Sequence, residues 1–240
     1  MEIKKLTRPL RKLIRPKYCG AVIVAAGTAS RMGGIDKIMA PLGGEPLIVH
    51  TVRIFQQCDA IREIVVVTRE DLIAPIMDLC SEFTKVRVVL VGGASREESV
   101  LAGLGALSEK CRLVAIQDGA RPFASWELID RVVRAAHTYG AAVPAILVKD
   151  TIKVATDGIV DHTPDRSDLR AVQTPQVFDT DILYSALVQA KRNGAKITDD
   201  CSAVELLGMK VKLVEGDERN IKITTPLDLK FAQLIWEEMQ

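Results

Sequence analysis

No apolar run in these 240 residues approaches the ~20 needed to cross a bilayer, so no membrane is expected among the partners. Charge of one sign is also scarce. Thirty-two Lys and Arg stand against 31 Asp and Glu, a formal net charge of +1, which is far from the basic excess of a general nucleic-acid surface. The cysteines stand singly, five in all, with no CxxC pair and no histidine at a partner spacing. That argues against structural zinc and for reduced core thiols in a cytoplasmic protein. His50, His137 and His162 have no carboxylate or nucleophile at motif spacing, and GxSxG is absent; a Ser-His-Asp or Cys-His site has no support. GxGxxG and GxxxxGK[ST] are missing too, which removes the dinucleotide fingerprint and the P-loop.

What is present is a chain that is 48% hydrophobic, enough for a full core and too apolar for general disorder. Lys and Arg crowd the first nineteen residues without a long apolar stretch, which does not read as a signal peptide; a solvated basic tail before one domain spanning 20–240 is expected, in preference to an electrostatic tether to a phosphate-rich partner. Apolar strands at 21–26, 63–68, 86–91 and 113–117 alternate with helical patterns at 46–57, 72–80, from Ser95, and at 126–139. Ser95 followed by Glu98 has the spacing of a capping box. Strands apolar on both faces and separated by helices imply an α/β fold, a mostly parallel sheet covered on both sides. Right-handed crossovers then bring the loops after Ala26, Val91 and Gln117 to one sheet edge. From 145 to 174 the helical period disappears, and a TDG turn at 156–158 suggests a β-arm outside the main sheet, packing on a second copy. Helices at 179–192 and 199–207, a strand at 211–215 and a helix opening at Thr225 and Pro226 complete the expected elements.

Chemistry is expected at that edge. In AVIVAAGTASRMGGIDK, the first strand empties through Ala25, Ala26 and Gly27 into a small-residue loop carrying Arg31 and Lys37. Backbone N–H groups at close range and two fixed cations suit a polyphosphate. Gly93, Ala94 and Ser99 lie where a glycine pair leads from strand to helix, a position open both to ligand binding and to ordinary capping. Asp118 follows a buried strand and has the oxygen chemistry for Mg²⁺, or for an Asx turn on Gly119. Arg121, three residues on, is placed to hold a phosphate. Lys222, between two isoleucines in an expected strand, and Arg166 in the arm read from the pattern alone as solvated cations, and Asp199 and Asp200 as helix-dipole partners. The missing general base fits phosphoryl transfer: a phosphate monoester, with a second pKa of about 6, is already ionised at neutral pH, so position and positive charge suffice.

Several ordered motifs, AAGTASRM with Lys37, GGASREESV, DGARPF, KDTIK, LRAVQTPQ, ITDDCSA and VEGDERNIKITTPLDL, give the chain a resemblance to the 2-C-methyl-D-erythritol 4-phosphate cytidylyltransferase family of the non-mevalonate isoprenoid pathway, from about Tyr18 onward. The resemblance implies a Rossmann-like nucleotidyltransferase fold, a homodimer joined through the arm, and Mg²⁺-dependent transfer of CMP from CTP to the acceptor phosphate with release of pyrophosphate. It assigns catalysis to Arg31 and Lys37, the nucleotide to Ala25, Ala26, Gly27, Gly93, Ala94, Ser99 and Gly119, and the metal to Asp118. It assigns the sugar phosphate to Arg121, Thr151, Arg166, Thr174 and Lys222, with Thr151 and Arg166 serving the neighbour's site. It departs from the family at Ala29, usually Gly, at Asp36–Lys37–Ile38, usually Pro-Lys-Gln, in a loop one residue shorter, and at Ala94, which can contact a ligand only through its backbone. Ribitol-5-phosphate cytidylyltransferase and a non-catalytic nucleotide-binding module are the alternative readings. With the chain closing at Gln240, no fusion to a later pathway enzyme is expected.

Overall fold

The computed structural model describes residues 18–27 and 36–240. In chain order the elements are β1 (Tyr18–Val24), β2 (Pro41–Leu42), β3 (Glu45–Pro46), α1 (Leu47–Gln57), β4 (Ile61–Thr68), α2 (Ile73–Leu79), β5 (Val86–Val91), α3 (Arg96–Ala106), β6 (Cys111–Asp118), α4 (Trp126–Tyr139), β7 (Ala141–Leu147), β8 (Val154–Thr156), β9 (Ile159–His162), β10 (Arg170–Val172), β11 (Gln176–Asp179), α5 (Thr180–Arg192), α6 (Asp200–Glu205), β12 (Lys212–Glu215) and α7 (Pro226–Glu238). Tyr18 and Cys19, placed in the tail by the sequence reading, belong to the sheet, paired with Cys111, Leu113 and Ile61. The rest of the basic tail lies outside the described residues.

The sheet order is β10-β7-β11-β6-β1-β4-β5, with β12 on the other side of β7. β5, β4, β1 and β6 run parallel; β11 is antiparallel to β6 and β7. β1 is central and its residues 21–23 are fully buried, which explains why it reads as an unbroken apolar run rather than an alternating one. Helices α1, α2 and α4 bury Val52, Phe55, Ile76 and Val132 on one face. Helices α3, α5 and α6 bury Val100, Leu183 and Val204 on the other. This is the α/β architecture expected from the pattern.

Two expectations need correction. The arm was placed at 145–174, but Arg170–Val172 pairs with Leu147, Ile146 and Ala145 inside the main sheet. Only the stretch from 148 to 169 stands apart, carrying the β8–β9 hairpin. Its turn is formed by Asp157 (φ 50°) and Gly158 (φ 80°), both in the left-handed region that such tight hairpins demand. The sequence hid β10 and β11 because each is short, and β7 because it is alanine-rich and interrupted by Pro144. The second correction concerns Lys222, which lies in no strand; the 219–224 segment is a loop held by single bonds such as Ile223 N–H to the Ala120 carbonyl at 2.9 Å.

A smaller apolar cluster of Leu42, Leu47, Phe123, Ile223 and Ala232 seats α7 beneath that loop. Beside it His50, 4% exposed, donates from Nε2 to the Leu42 carbonyl at 2.8 Å and meets the Trp236 ring edge-on at 4.4 Å. Burial holds its imidazole below the ordinary histidine pKa. The unfolded chain therefore takes up this proton at about pH 6.5 while the folded chain resists it. The stabilisation is complete above that value and declines as pH falls from there toward the folded pKa. We expect the urea midpoint to drop between about pH 7.5 and 5.5, and His50→Gln to flatten that slope; an unaltered slope would assign it to another group.

Candidate active site

Three strand ends build the site. Ala25 extends β1, its N–H bonded to the Val67 carbonyl at 2.7 Å. Gly119 follows β6 and donates to the Val24 carbonyl at 2.9 Å. Gly92 follows β5 and donates to the Thr68 carbonyl at 2.8 Å. A Cβ on Gly92 would sit 2.7 Å from the Ala26 Cβ and 2.6 Å from the Ser99 Oγ, so only glycine lets these loops close together. Between them lies a cavity of about 300 Å³ lined by Ala25, Ala26, Gly27, Lys37, Gly93, Ala94, Ser99, Asp118, Gly119 and Lys222, joined by Arg96 and Ser95.

The loop before α3 does not offer all the free N–H groups expected of it. Ser95 caps the helix by accepting the Glu98 N–H at 3.2 Å. Glu98 reaches back to the Ala94 N–H at 2.9 Å, while Lys191 holds its other oxygen at 2.8 Å. Ser99, 2% exposed, accepts the Gly93 N–H at 3.2 Å and donates to the Ser95 carbonyl at 2.9 Å. Its hydroxyl thus fixes the loop. With the Gly93 and Ala94 amides satisfied internally, the loop is a shaped, neutral wall more than an anion cradle.

Charge concentrates at Asp118. Its Oδ2 lies 2.8 Å from Lys222 Nζ and 3.5 Å from Arg121 Nε, and its Oδ1 is 3.9 Å from Arg96 Nη2. Burial opposes ionisation here, but Lys222, Arg96 and Arg121 together hold the carboxyl below the ordinary aspartate pKa. Arg121 also donates to the Asn220 carbonyl at 2.6 Å, which anchors the 217–224 loop. Thr174, 4% exposed, accepts the Asp118 N–H at 3.1 Å and receives Asn220 Nδ2 on its carbonyl at 2.8 Å. Thr174 and Arg121 therefore stand behind the cavity wall and set Asp118 and Lys222 in place.

Sequence reasoning missed the Arg96–Asp200 pair. Arg96 Nη2 and Asp200 Oδ2 are 2.7 Å apart, and the Asp200 side chain is wholly buried. Full burial pushes the Asp200 carboxyl up while Arg96 works against it. Burial likewise opposes the Arg96 charge, which Asp200 more than sustains. Asp199 does cap α6, as expected, through the Ser202 N–H at 2.9 Å. Its neighbour instead reaches across to α3. No local signal marks that role, because the partners are 104 residues apart in sequence.

Thr151 and Arg166 are not brought to this cavity; Arg166 Nη1 donates to the Lys149 carbonyl at 2.9 Å within the projecting segment. Arg31 lies outside the described residues. Among those described, no group of three or more His, Cys, Asp or Glu side chains could hold a metal ion, and no helix is long and apolar enough to cross a membrane.

The sequence and the fold that carry this cavity are matched in known proteins. The family described as 2-C-methyl-D-erythritol 4-phosphate cytidylyltransferase (IspD) covers residues 19–238. The chain belongs to this family. Bearers of that name in Geobacillus kaustophilus and Symbiobacterium thermophilum are 45% and 44% identical to it, over 90% of this chain and 95% and 92% of theirs. The crystal structure of 4-diphosphocytidyl-2C-methyl-D-erythritol synthase from Anaerococcus prevotii superposes with a TM-score of 0.84 at 35% identity, covering 92% of this chain and 96% of that one. The Thermus thermophilus structure of the family gives 0.77, also at 35% identity, covering 91% and 98%. Family membership makes this chain a nucleotidyltransferase and confirms the α/β fold expected from the strand pattern.

Proposed function

We propose that the cavity holds CTP, that Lys37 and Arg31 drive transfer of its CMP to 2-C-methyl-D-erythritol 4-phosphate by meeting charge at the triphosphate, and that Lys222 holds the acceptor's phosphate. CTP-dependent cytidylyl transfer in isoprenoid precursor synthesis is the family's activity and this chain's. The observation that carries the residue-level reading is the placement of Lys37 and Lys222 in one small cavity, around a backbone floor of Ala25, Ala26, Gly27 and Gly119 that admits a nucleotide at close range.

An ionised oxygen of the acceptor phosphate attacks the α-phosphorus of CTP in line. The new P–O bond forms as the bond to the bridging α–β oxygen breaks, and pyrophosphate leaves with the electron pair. No side chain need remove a proton. Lys37 and Arg31 neutralise charge that grows on the α-phosphate and the leaving group. Lys222, at the mouth of the cavity, trades Asp118 for the acceptor phosphate. Asp118 suits Mg²⁺ as one hard oxygen donor beside phosphate oxygens, the usual arrangement for this ion; when bound, the cation adds positive charge at the triphosphate. Gly93, Ala94 and Ser99 shape the wall against the nucleoside, with Arg121 and Thr174 setting the acceptor side from behind.

We further assign the hairpin to a second copy of the chain. Ile159, Val160, Ile152 and Val154 are exposed along it, Ile159 to 72%, which is costly to leave in water. Docking there would carry Thr151 and Arg166 to the neighbour's acceptor site. The five cysteines are all buried and unpaired, which supports action in the reducing cytoplasm.

The test is pyrophosphate release from CTP with methylerythritol 4-phosphate and ribitol 5-phosphate supplied side by side. Faster release with the first is expected. Preference for ribitol phosphate would reassign the acceptor, and CTP binding without release from either would leave only a nucleotide-binding module.

A further inference from the structure

The turn that presents Lys37 is tied down by a carboxylate beside it in sequence. Asp36 Oδ1 accepts the Ile38 N–H at 2.9 Å, and the Asp36 carbonyl accepts the Met39 N–H at 3.2 Å. Ile38 is buried, and its carbonyl receives the Ile48 N–H from α1 at 3.1 Å. The other carboxylate oxygen, Oδ2, accepts from Arg69 Nη2 at 2.5 Å. Arg69 directly follows β4, at the sheet edge that bears the site. Its guanidinium is also fixed on Asp71, at 3.1 Å from Nε and 3.0 Å from Nη2. The Asp36 and Arg69 side chains are only 24% and 25% exposed. Lys37 and Ile38 line the cavity, and Asp36 does not.

A carboxylate next to a cation that must meet a triphosphate works against it twice: it attracts the ammonium and repels the phosphates. Arg69 answers both. We propose that Arg69 is a positioning residue for cytidylyl transfer: it draws the Asp36 carboxylate away from Lys37 and the nucleotide, while the turn itself is held by the Asp36 Oδ1 bond to the Ile38 N–H, which an amide oxygen could equally accept. Neither residue touches substrate. The inference rests on the role given to Lys37 above, and the experiment separates the two.

The experiment measures kcat and the KM for CTP in Arg69→Gln, Asp36→Asn, the double variant, Lys37→Ala and Lys37→Ala with Arg69→Gln, with thermal midpoints alongside. Arg69→Gln unmasks Asp36 and is expected to lower kcat about tenfold, within the scale of a small misplacement at a reacting centre, with KM changed less than about threefold. Asp36→Asn keeps the acceptor for the Ile38 N–H and should stay near wild type. The double variant should recover to within about threefold of wild type, a rescue that a purely structural arginine would not permit. In the Lys37→Ala background, Arg69→Gln should cost clearly less than in wild type, because only the repulsion of the phosphates then remains.

Unchanged turnover in Arg69→Gln overturns the proposal, as does a double variant no better than Arg69→Gln alone, or an undiminished loss in the Lys37→Ala background. A silent Lys37→Ala instead defeats the function assigned to that lysine, whatever Arg69 does. Should Arg69→Gln fail to fold, Arg69→Lys takes its place in the same cycle. It is expected to lower kcat about threefold, and rescue by Asp36→Asn decides again.

Discussion

Lys37→Ala lowers kcat for pyrophosphate release by roughly 10²–10³, the effect of removing one preorganised charge contact from a reacting centre. The expectation follows from what the site lacks as much as from what it holds. Asp118 is the carboxylate lining the cavity, and it is held by Lys222, Arg121 and Arg96. Proton transfer has no assigned agent, so catalysis falls to cations that meet charge as it develops. Arg31→Ala should act on the same scale, since both cations serve the same growing charge. Because that charge is greatest in the transition state, the loss should appear in kcat more than in the KM for CTP. Steady-state kinetics with saturating acceptor checks this, and turnover within a few-fold of wild type would remove Lys37 from catalysis.

Asp200→Ala is expected to destabilise the fold by about 3 kcal/mol, the lower end of the range for breaking a buried ion pair by removing one partner. The lower end applies because the Arg96 side chain is 30% exposed, although Asp200 is wholly buried. For a domain of this size the loss corresponds to a fall in Tm of roughly 6–12 °C, readable by circular dichroism. Replacing both partners, with Arg96→Met and Asp200→Leu, should cost less than Asp200→Ala alone, because no buried charge is then stranded. A double variant less stable than the single would show that the pair contributes net stability of its own. The loss should also reach the site. Arg96 is already 3.9 Å from Asp118, and without Asp200 its guanidinium would compete with Lys222 for that carboxylate.

Much of the architecture was legible along the chain because the central strands are buried on both faces. Residues 21–23, 64–67 and 113–116 are all fully buried, so their sequences are continuous apolar runs that cannot be mistaken for surface. Val86–Val91 and Trp126–Tyr139 have the bounds that apolar run and helical period gave them. β7, β10 and β11 escaped because their order comes from partners: Val177 pairs with both Ala115 and Ala142, and neither pairing leaves a local period. The same reason moved the arm's limits inward. In the site, small residues at strand ends and cations in loops could be named from type and place. Arg96 with Asp200, and Asp36 with Arg69, join residues 104 and 33 positions apart, and no local pattern links them.

By itself the sequence determined the sheet, the edge where chemistry gathers, and the family, since apolar runs, loop composition and ordered motifs are properties of neighbouring residues. Tertiary structure alone decided that Ser99 and Glu98 occupy the amides of their loop, that Thr174 and Arg121 work from behind the wall, and which carboxylate each arginine holds. Those are matters of distance between groups remote in the chain, and an ion pair or hydrogen bond acts only over the few ångströms that folding alone can set.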